Sequence, residues 1–196
     1  MRSLLQDSRG KVIIGIVILM AFCFLGSATW KDSLHKDERK VHSSFGIYRD
    51  AMNKRASLVP EMLELLRNYA PQEQAIAAEL VKSYEDAMRY QPPEQILSNP
   101  KMAAEFFQLQ KTLIENMNKA QSIAKNYPGL AENRLFYLLL NDWHEVNVQV
   151  TGSGELLNRY IQRYNSHLQG FPQSWYNKMT YRLTLKNPIE IPYAIR

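Results

Sequence analysis

The sequence predicts an all-α protein with an N-terminal transmembrane helix, a long antiparallel up-down bundle of about four helices, and an irregular or extended C-terminal tail. Helix-favouring residues fill most of the chain, and only 8 of its 196 residues are glycine. Residues 12–30 contain no charged side chain. Beyond them, apolar residues recur every three or four positions, which is the period of one helical face.

Composition and charge narrow the classes of protein to which the chain can belong. With 45% hydrophobic and 22% charged residues, the part beyond residue 30 can form one packed domain. The formal charge is +5, but basic residues are interspersed with acidic ones, which favours a solvated surface of mixed charge over a nucleic-acid-binding surface. The single cysteine, Cys23, excludes a disulfide framework and a cysteine metal site within one chain.

The N-terminal region is predicted to be a short polar tail, residues 1–11, followed by a transmembrane anchor, residues 12–30. An uncharged helix of this length spans about 30 Å, enough for one crossing, and Trp30 takes the place of an interfacial aromatic. A cleaved signal peptide is the alternative, because residues 26–28 are small. A retained anchor is favoured, since a helical pattern follows directly. We expect an extracytoplasmic bundle, and a cytoplasmic one stays open.

The bundle is predicted to occupy residues 31–172 and to begin with a helix that follows the anchor. Polar residues fill most of the gaps between its apolar positions, which is typical of an amphipathic helix and not of a linker. Its apolar face, counted from Leu34, contains Val41, Phe45, Tyr48 and Met52.

Two further helices are predicted before residue 131. The second begins at Pro60, which fits a first turn or a kink, and has a break at Pro71. Prolines in residues 90–101 predict a loop, the third helix begins near Pro100, and a Pro-Gly turn in residues 126–130 ends it. Because the connections are short, neighbouring helices are predicted to be antiparallel. Their predicted buried positions are Leu63, Leu66, Tyr69, Ile76, Leu80, Tyr84 and Met88, and then Met102, Phe106, Leu109, Leu113, Ala120 and Ile123.

The fourth helix is predicted over residues 131–170, although the segment "TGSG" at 151–154 places two glycines within it. The apolar stripe passes through this segment in phase, and a loop would have no reason to keep helical register. We therefore expect one helix about 60 Å long, with Gly152 and Gly154 as a soft point and Gly154 facing the core. The stripe contains Leu135, Leu139, Trp143, Val146, Val150, Leu157, Ile161, Tyr164, Leu168 and Phe171.

The C-terminal residues 173–196 have a different pattern. Apolar and polar residues alternate in "TYRLTLKNPIEIPYAIR", and this stretch contains two prolines. The pattern predicts an extended tail that lies against the bundle or against a partner.

The motifs of common enzymes and metal proteins are incomplete in this chain. "TGSGELL" lacks the lysine of a phosphate-binding loop, and no predicted strand precedes it. The zinc-peptidase pattern that starts at His144 would need histidine at the position of Val148. His35 and His42 are seven residues apart, but no pair of carboxylates is expected beside them. The sequence therefore predicts no catalytic residue, no cofactor and no metal.

The stretch "KRASLVPEMLELLRNYAPQE", residues 54–73, resembles a motif of the LemA family, and the resemblance continues to residue 172. Asn147 departs from the pattern, in which glutamate is common at this position. The resemblance implies a membrane-anchored antiparallel bundle without a settled biochemical activity. The matching positions are Lys54, Arg55, Leu58, Val59, Pro60, Leu66, Tyr69, Ala70, Glu73, Tyr127, Pro128, Leu130, Phe136, Asn158, Ile161, Tyr164, Asn165, Phe171 and Pro172.

These observations lead to the hypothesis of a non-enzymatic scaffold or adaptor in the bacterial inner membrane, with a single span at residues 12–30. Its partner would be an unidentified membrane or extracytoplasmic protein or a second copy of the chain, and not a nucleic acid. The alternative is a lipid-binding or membrane-shaping protein that uses basic faces such as residues 31–40. An enzyme of unrecognised type is the least favoured reading.

Overall fold

The structure is a computed structural model that describes residues 8–90, 93–170, 173–180 and 182–191. Within these ranges, the side chains of residues 8–11, 13, 16–29, 173, 176 and 180 lie outside the description. Its described residues are helical apart from short connections and a C-terminal stretch without regular secondary structure, residues 182–191. The helices are α1 Ser8–Ala56, α2 Val59–Tyr69, α3 Gln74–Arg89, a 3₁₀ turn Glu94–Leu97, α4 Pro100–Ala124, α5 Pro128–Ala131, α6 Arg134–Gln169 and α7 Gln173–Thr180.

Two antiparallel helix pairs make up most of the bundle. In the longer pair, Asp37 near the middle of α1 meets Arg163 near the end of α6, whereas Arg55 at the end of α1 meets Asn147. α3 and α4 form the shorter pair. The predicted all-α bundle of antiparallel neighbours is therefore confirmed.

The prediction of about four helices is too low, because the predicted second helix is two helices. Tyr69 at the end of α2 accepts a hydrogen bond from Asn133 at the start of α6, so α2 runs antiparallel to α6, as α1 does. Pro60 thus begins α2 without reversing the chain. The reversal lies at residues 70–73, where Pro71 disfavours helical backbone at Ala70.

Helix α6 passes through "TGSG" without interruption, as predicted. Ser153 Oγ donates to the carbonyl oxygens of Gln149 and Val150, as serines within helices often do. Gly154 is buried on the core face and Gly152 is exposed, so the predicted register of the helix is confirmed there.

Several predicted core positions are not covered by the bundle. Leu135 is 63% exposed, and the buried stripe of α6 begins instead at Phe136. Tyr69 and Met88 are also exposed, at 41% and 38%. Phe171, at the other end of the predicted stripe, lies outside the described residues. A helical period identifies an apolar face, but it does not reveal whether a neighbouring helix reaches that face.

Asparagine caps define where the two later long helices begin. The side-chain oxygen of Asn99 accepts hydrogen bonds from the backbone N–H groups of Lys101 and Met102, and α4 starts at Pro100 as predicted. Asn133 caps α6 in the same way, through Leu135 and Phe136. The cap explains why α6 starts at residue 134, slightly later than the predicted 131.

The C-terminal region departs from the predicted tail, because residues 173–180 form helix α7. The stretch without regular secondary structure begins at Arg182, whose φ of 49° lies in the left-handed region. Residues 90–101, predicted to be a loop, likewise contain the 3₁₀ turn, whose Ile96 and Leu97 are buried. The 3₁₀ turn thus brings two apolar side chains against the bundle, whereas Trp175 and Met179 of α7 are exposed.

Residues 12–30 belong to helix α1. Among the residues that the structure describes, no helix is both long enough and apolar enough to cross a membrane. Most of the side chains on which the predicted anchor depends, those of residues 16–29, lie outside the described residues.

Candidate peptide-binding groove

Two asparagines of α6 bind the backbone of the extended C-terminal stretch. Asn165 Nδ2 donates to the carbonyl oxygen of Lys186 at 2.7 Å, and Asn165 Oδ1 accepts from the Lys186 N–H at 2.9 Å. Asn158 forms the same pair of bonds with Ile189, at 3.0 and 2.8 Å. Each carboxamide therefore satisfies both backbone groups of one residue, as a neighbouring β-strand would.

The spacing of the two asparagines matches the repeat of an extended chain. Residues 158 and 165 are two helical turns apart on one face of α6, which corresponds to about 10.5 Å. Residues 186 and 189 are three residues apart in extended backbone, or about 10 Å. The side-chain spacing of a helix and the backbone spacing of an antiparallel extended segment therefore coincide.

Gly154 makes room for the apolar end of this segment. A Cβ atom at Gly154 would lie 3.1 Å from Ile191 Cγ1 and 3.2 Å from Cε2 of Tyr48 on α1. Ile189 is 7% exposed and belongs to the hydrophobic core. The absence of a side chain at Gly154 thus serves the close approach of α1, as expected from the sequence, and also that of the C-terminal segment.

Further contacts hold the C-terminal segment between residues 183 and 187. The Lys186 ammonium lies 5.3 Å from the centre of the Tyr164 ring, in a cation–π contact. The N–H of Asn187 donates to the carbonyl oxygen of Leu97 at 2.6 Å, and Asn177 in α7 pairs with both backbone groups of Leu183. We call the surface formed by Tyr48, Gly154, Asn158, Tyr164 and Asn165 the tail groove.

Ion pairs flank the tail groove on the α1 side. Buried Asp37 contacts Arg163 Nε at 3.1 Å and His167 Nδ1 at 2.6 Å. Burial, and secondly the charge of Glu38, raises the pKa of the Tyr164 hydroxyl to about 12. Tyr164 is therefore uncharged at neutral pH and presents a neutral ring to a cation.

Two carboxylates lie beside His35 and His42, so the expectation that no such pair is present is wrong. Glu38 lies 3.5 Å from His35 and 4.0 Å from His42, and His42 also pairs with Glu94 of the 3₁₀ turn. Glu94 is distant in sequence, so only the fold brings it to this place. Within the described ranges, no three His, Cys, Asp or Glu residues have the geometry of a metal site.

Arg55 is fully buried at 0% exposure between α1, α4 and α6. Its guanidinium donates to Gln110 Oε1 at 2.8 Å and to Asn147 Oδ1 at 3.4 Å, and its Nε has no hydrogen-bond partner in the described part of the chain. No carboxylate forms an ion pair with Arg55 among the described residues. Burial lowers its pKa to about 10, against the opposing effect of Tyr48. The side chain holds three helices together at the cost of an uncompensated charge.

Most of the other residues that match the family pattern contribute to the packing of the bundle. Tyr127 donates a hydrogen bond to Glu73 Oε1 at 2.5 Å, which joins the α2–α3 turn to α5 and raises the pKa of Tyr127. Lys54 and Gly152 are exposed, and Phe171 and Pro172 lie outside the described residues. Leu58, Leu66, Leu130 and Phe136 are buried, and Pro60 and Pro128 stand in the first turns of α2 and α5.

The model of the LemA family matches residues 48–188, which include Asn158, Asn165 and the bound residue Lys186. The chain belongs to the LemA family. A search of curated proteins gave no match. The family match covers most of the bundle of this LemA protein and all residues of the tail groove, whereas Ile189 and Ile191 of the bound segment lie beyond it.

The tail groove combines residues that the sequence singled out with residues that it did not. Gly154, Asn158, Tyr164 and Asn165 were singled out as a soft point or as matches to the family pattern. Lys186, Ile189 and Ile191, which they contact, were treated only as part of an extended tail. Two asparagines seven residues apart on one helix face, where they are poor helix formers, were the available signal.

Proposed function

We propose that this LemA protein is a membrane-anchored, non-catalytic scaffold or adaptor that binds an extended segment of a partner protein in the tail groove. Residues 12–30 would anchor it in the bacterial inner membrane, with the bundle on the extracytoplasmic side. The hydrogen bonds of Asn158 and Asn165 to an extended backbone carry this proposal. Every polypeptide offers these backbone groups, so the groove suits extended segments other than its own.

The tail itself supplies a model for the segment that would bind. A partner segment would need extended backbone over about 10 Å and a cation over Tyr164 at the position of Lys186. It would also need apolar side chains at the positions of Ile189 and Ile191. A partner would compete with residues 182–191 for the groove. Intramolecular binding therefore limits access to partners that are abundant or held close by at the membrane.

The position of the tail groove suits a protein that works beside a membrane. The anchor proposal rests on the uncharged run of residues 12–30. Helix α1 continues from this run to Ala56 without interruption, and Tyr48 lies 18 residues beyond Trp30, or about 27 Å along the helix. The groove would thus face segments that extend a short distance from the membrane surface.

The test is binding of a synthetic peptide of residues 182–191 to a chain that lacks residues 182–196, reconstituted in nanodiscs. We expect binding that weakens about tenfold or more when Asn158 and Asn165 are both replaced by alanine. N-methylation of the peptide at Lys186 and Ile189 should abolish it, because these N–H groups donate to the asparagines. N-methylation at exposed Glu190 is the matched control.

The same truncated chain tests the proposal in membranes. Removing the tail should enrich a stoichiometric partner in pull-downs, crosslinking with mass spectrometry should place one of its segments beside Asn158, and the double alanine variant should lose it. Recovery of a second copy of this chain, bound to the groove by its own C-terminal segment, would show that the groove serves self-association. Recovery of neither a partner nor a second copy would contradict the adaptor function.

A further inference from the structure

A second apolar surface lies where two predicted core residues are left uncovered. Leu135 and Tyr69 belong to the apolar stripes of their helices, yet they are 63% and 41% exposed. Both line one groove between α2 and α6, which we call the distal groove and which also contains Leu65, Leu138 and Leu139. The stripes that build the core therefore continue onto a surface at this end of the bundle.

The walls of the distal groove are held in place by the bundle itself. Asn133 Nδ2 donates to the Tyr69 hydroxyl oxygen at 2.7 Å, while Asn133 Oδ1 caps α6 through the N–H of Leu135 at 2.7 Å. Leu139 is fully buried below, and Leu138 above it is 47% exposed. The groove thus has a rigid apolar floor that is formed before any ligand binds.

The charge of the distal groove is opposite to that of the whole chain. Three exposed carboxylates, those of Glu61, Glu64 and Asp142, line it. Among its lining residues in the described part of the chain there is no lysine or arginine, whereas the chain as a whole carries +5. Local negative charge around an apolar floor favours a cationic ligand with an apolar face.

We propose that the distal groove binds an amphipathic helix of a partner protein, with a leucine-like ridge on the floor and Lys or Arg side chains beside the three carboxylates. A helix packs into a groove between two helices with such a ridge, and the flanking charges select its sign. An anionic lipid surface would be repelled by Glu61, Glu64 and Asp142. This site is separate from the tail groove and does not depend on the function proposed for it.

Orientation places the two sites at different ends of the molecule. Helix α6 is antiparallel to α1, so Leu135 near its start lies far from Trp30, whereas Asn165 near its end lies close to the middle of α1. The protein would then bind an extended segment near the membrane and a cationic helix at the far end. Two such sites would connect two partners.

The experiment uses the full chain in nanodiscs of zwitterionic lipid and a fluorescent amphipathic helix of about 18 residues made of Leu and Lys. Empty nanodiscs give the baseline anisotropy, and a Leu–Glu helix of the same length is the probe of opposite charge. We expect the Leu–Lys helix to bind at least about tenfold more tightly than the Leu–Glu helix, and less tightly as salt is added.

Matched substitutions locate the binding. Glu61→Lys combined with Glu64→Lys should weaken it about tenfold, while Glu155→Lys, an exposed position of α6 outside the groove, should leave it within about twofold. Leu138→Ser should weaken it, and Val148→Ser, at a similarly exposed apolar position of α6, should not. The N158A/N165A variant should bind the Leu–Lys helix as tightly as the wild type does, which separates this site from the tail groove.

Three results would overturn the proposal. The first is equal binding of the two probe helices, and the second is equal binding by the Glu61→Lys/Glu64→Lys variant and the wild type. The third is a second copy as the occupant of the groove, seen in analytical ultracentrifugation as a dimer that Leu138→Ser dissociates and Val148→Ser does not.

Discussion

Gly154 of α6 lies so close to Tyr48 of α1 that a methyl group on the glycine would stand 3.2 Å from the ring carbon Cε2. Ile191 closes the same space from the C-terminal segment, with its Cγ1 at 3.1 Å from that methyl position. Three separate parts of the chain therefore meet at one glycine. The helical core and the tail groove share this contact.

Replacing Gly154 by leucine should destabilise the protein by about 1–3 kcal/mol, because the added side chain would displace Tyr48 and Ile191. The measurement is the free energy of unfolding in urea, followed by circular dichroism. Gly152→Leu is the matched control, since its Cβ would meet no atom within 4 Å, and we expect a gain of about 1 kcal/mol or less from helix propensity. Equal effects of both substitutions would show that Gly154 does not face the core.

Replacing both Asn158 and Asn165 by alanine should release the C-terminal segment without unfolding the bundle. Each substitution removes two hydrogen bonds worth about 1 kcal/mol each, so the backbone amides of Lys186 and Ile189 should exchange with solvent at least about tenfold faster. Hydrogen–deuterium exchange of residues 182–191 measures this. Gln162→Ala, an exposed substitution between them, should leave exchange unchanged, and protection that persists in the double variant would contradict the asparagine contacts.

Replacing Asn147 by glutamate should stabilise the protein by about 1–3 kcal/mol at neutral pH, because a carboxylate would face the buried guanidinium of Arg55. Arg55 would hold the pKa of the new carboxyl below its unfolded value. The added stability would therefore be present above about pH 4.3 and lost as the pH falls through the lower folded value.

Thermal unfolding at several pH values between about 3 and 8 checks this expectation. Val148→Glu adds the same charge at an exposed position of α6 and should leave the melting temperature nearly unchanged. A glutamate at 147 that lowers stability at neutral pH would mean that the Arg55 site has no room for a carboxylate.

The protein should lose stability as the pH rises from about 10 to about 12. Burial is the main reason that the pKa of Tyr164 is raised from its usual value of 10.0 to about 12 in the folded state, and burial also raises the pKa of Tyr48. Both hydroxyls keep their protons in the folded state and lose them on unfolding, which lowers stability above pH 10. The lowered pKa of buried Arg55 acts in the opposite direction over the same range, so we expect the loss to be what two tyrosines give minus what one arginine offsets.

Tyr48→Phe tests the contribution of the more buried hydroxyl, which has no hydrogen-bond partner among the described residues. We expect stability at pH 7 to be unchanged or higher, because an unpartnered buried hydroxyl is removed, and the alkaline loss to be smaller. Urea unfolding at pH 7 and pH 11 measures both. An unchanged alkaline loss would place the responsible titration elsewhere.

The two ends of α6 differ in how far the sequence could predict their surroundings. The register of α6 followed from its apolar period, which correctly placed Gly154, Tyr164 and Leu168 on the core face. The same period wrongly placed Leu135 in the core, because α2 runs beside α6 there without covering it. Periodicity describes one helix, whereas burial depends on its neighbours.

The asparagines of the tail groove illustrate the same division. The resemblance to a known family singled out Asn158 and Asn165, but their hydrogen-bond partners lie 31 and 21 residues away in sequence. No local pattern encodes such a pairing, since the bonds go to backbone groups that every residue has. Similarly, Glu94 reaches His42 only after α3 and the following turn have folded back.

The sequence by itself determined the helical class, the unbroken course of α6 through its two glycines and the membership of the LemA family, because local propensity, apolar period and ordered motifs are properties of the linear chain. Tertiary structure alone decided that α2 continues beside α6, that Arg55 is buried without a carboxylate, and that the tail lies on Asn158 and Asn165. These features arise from contacts between distant segments, whose free energies depend on which surfaces meet in the folded bundle.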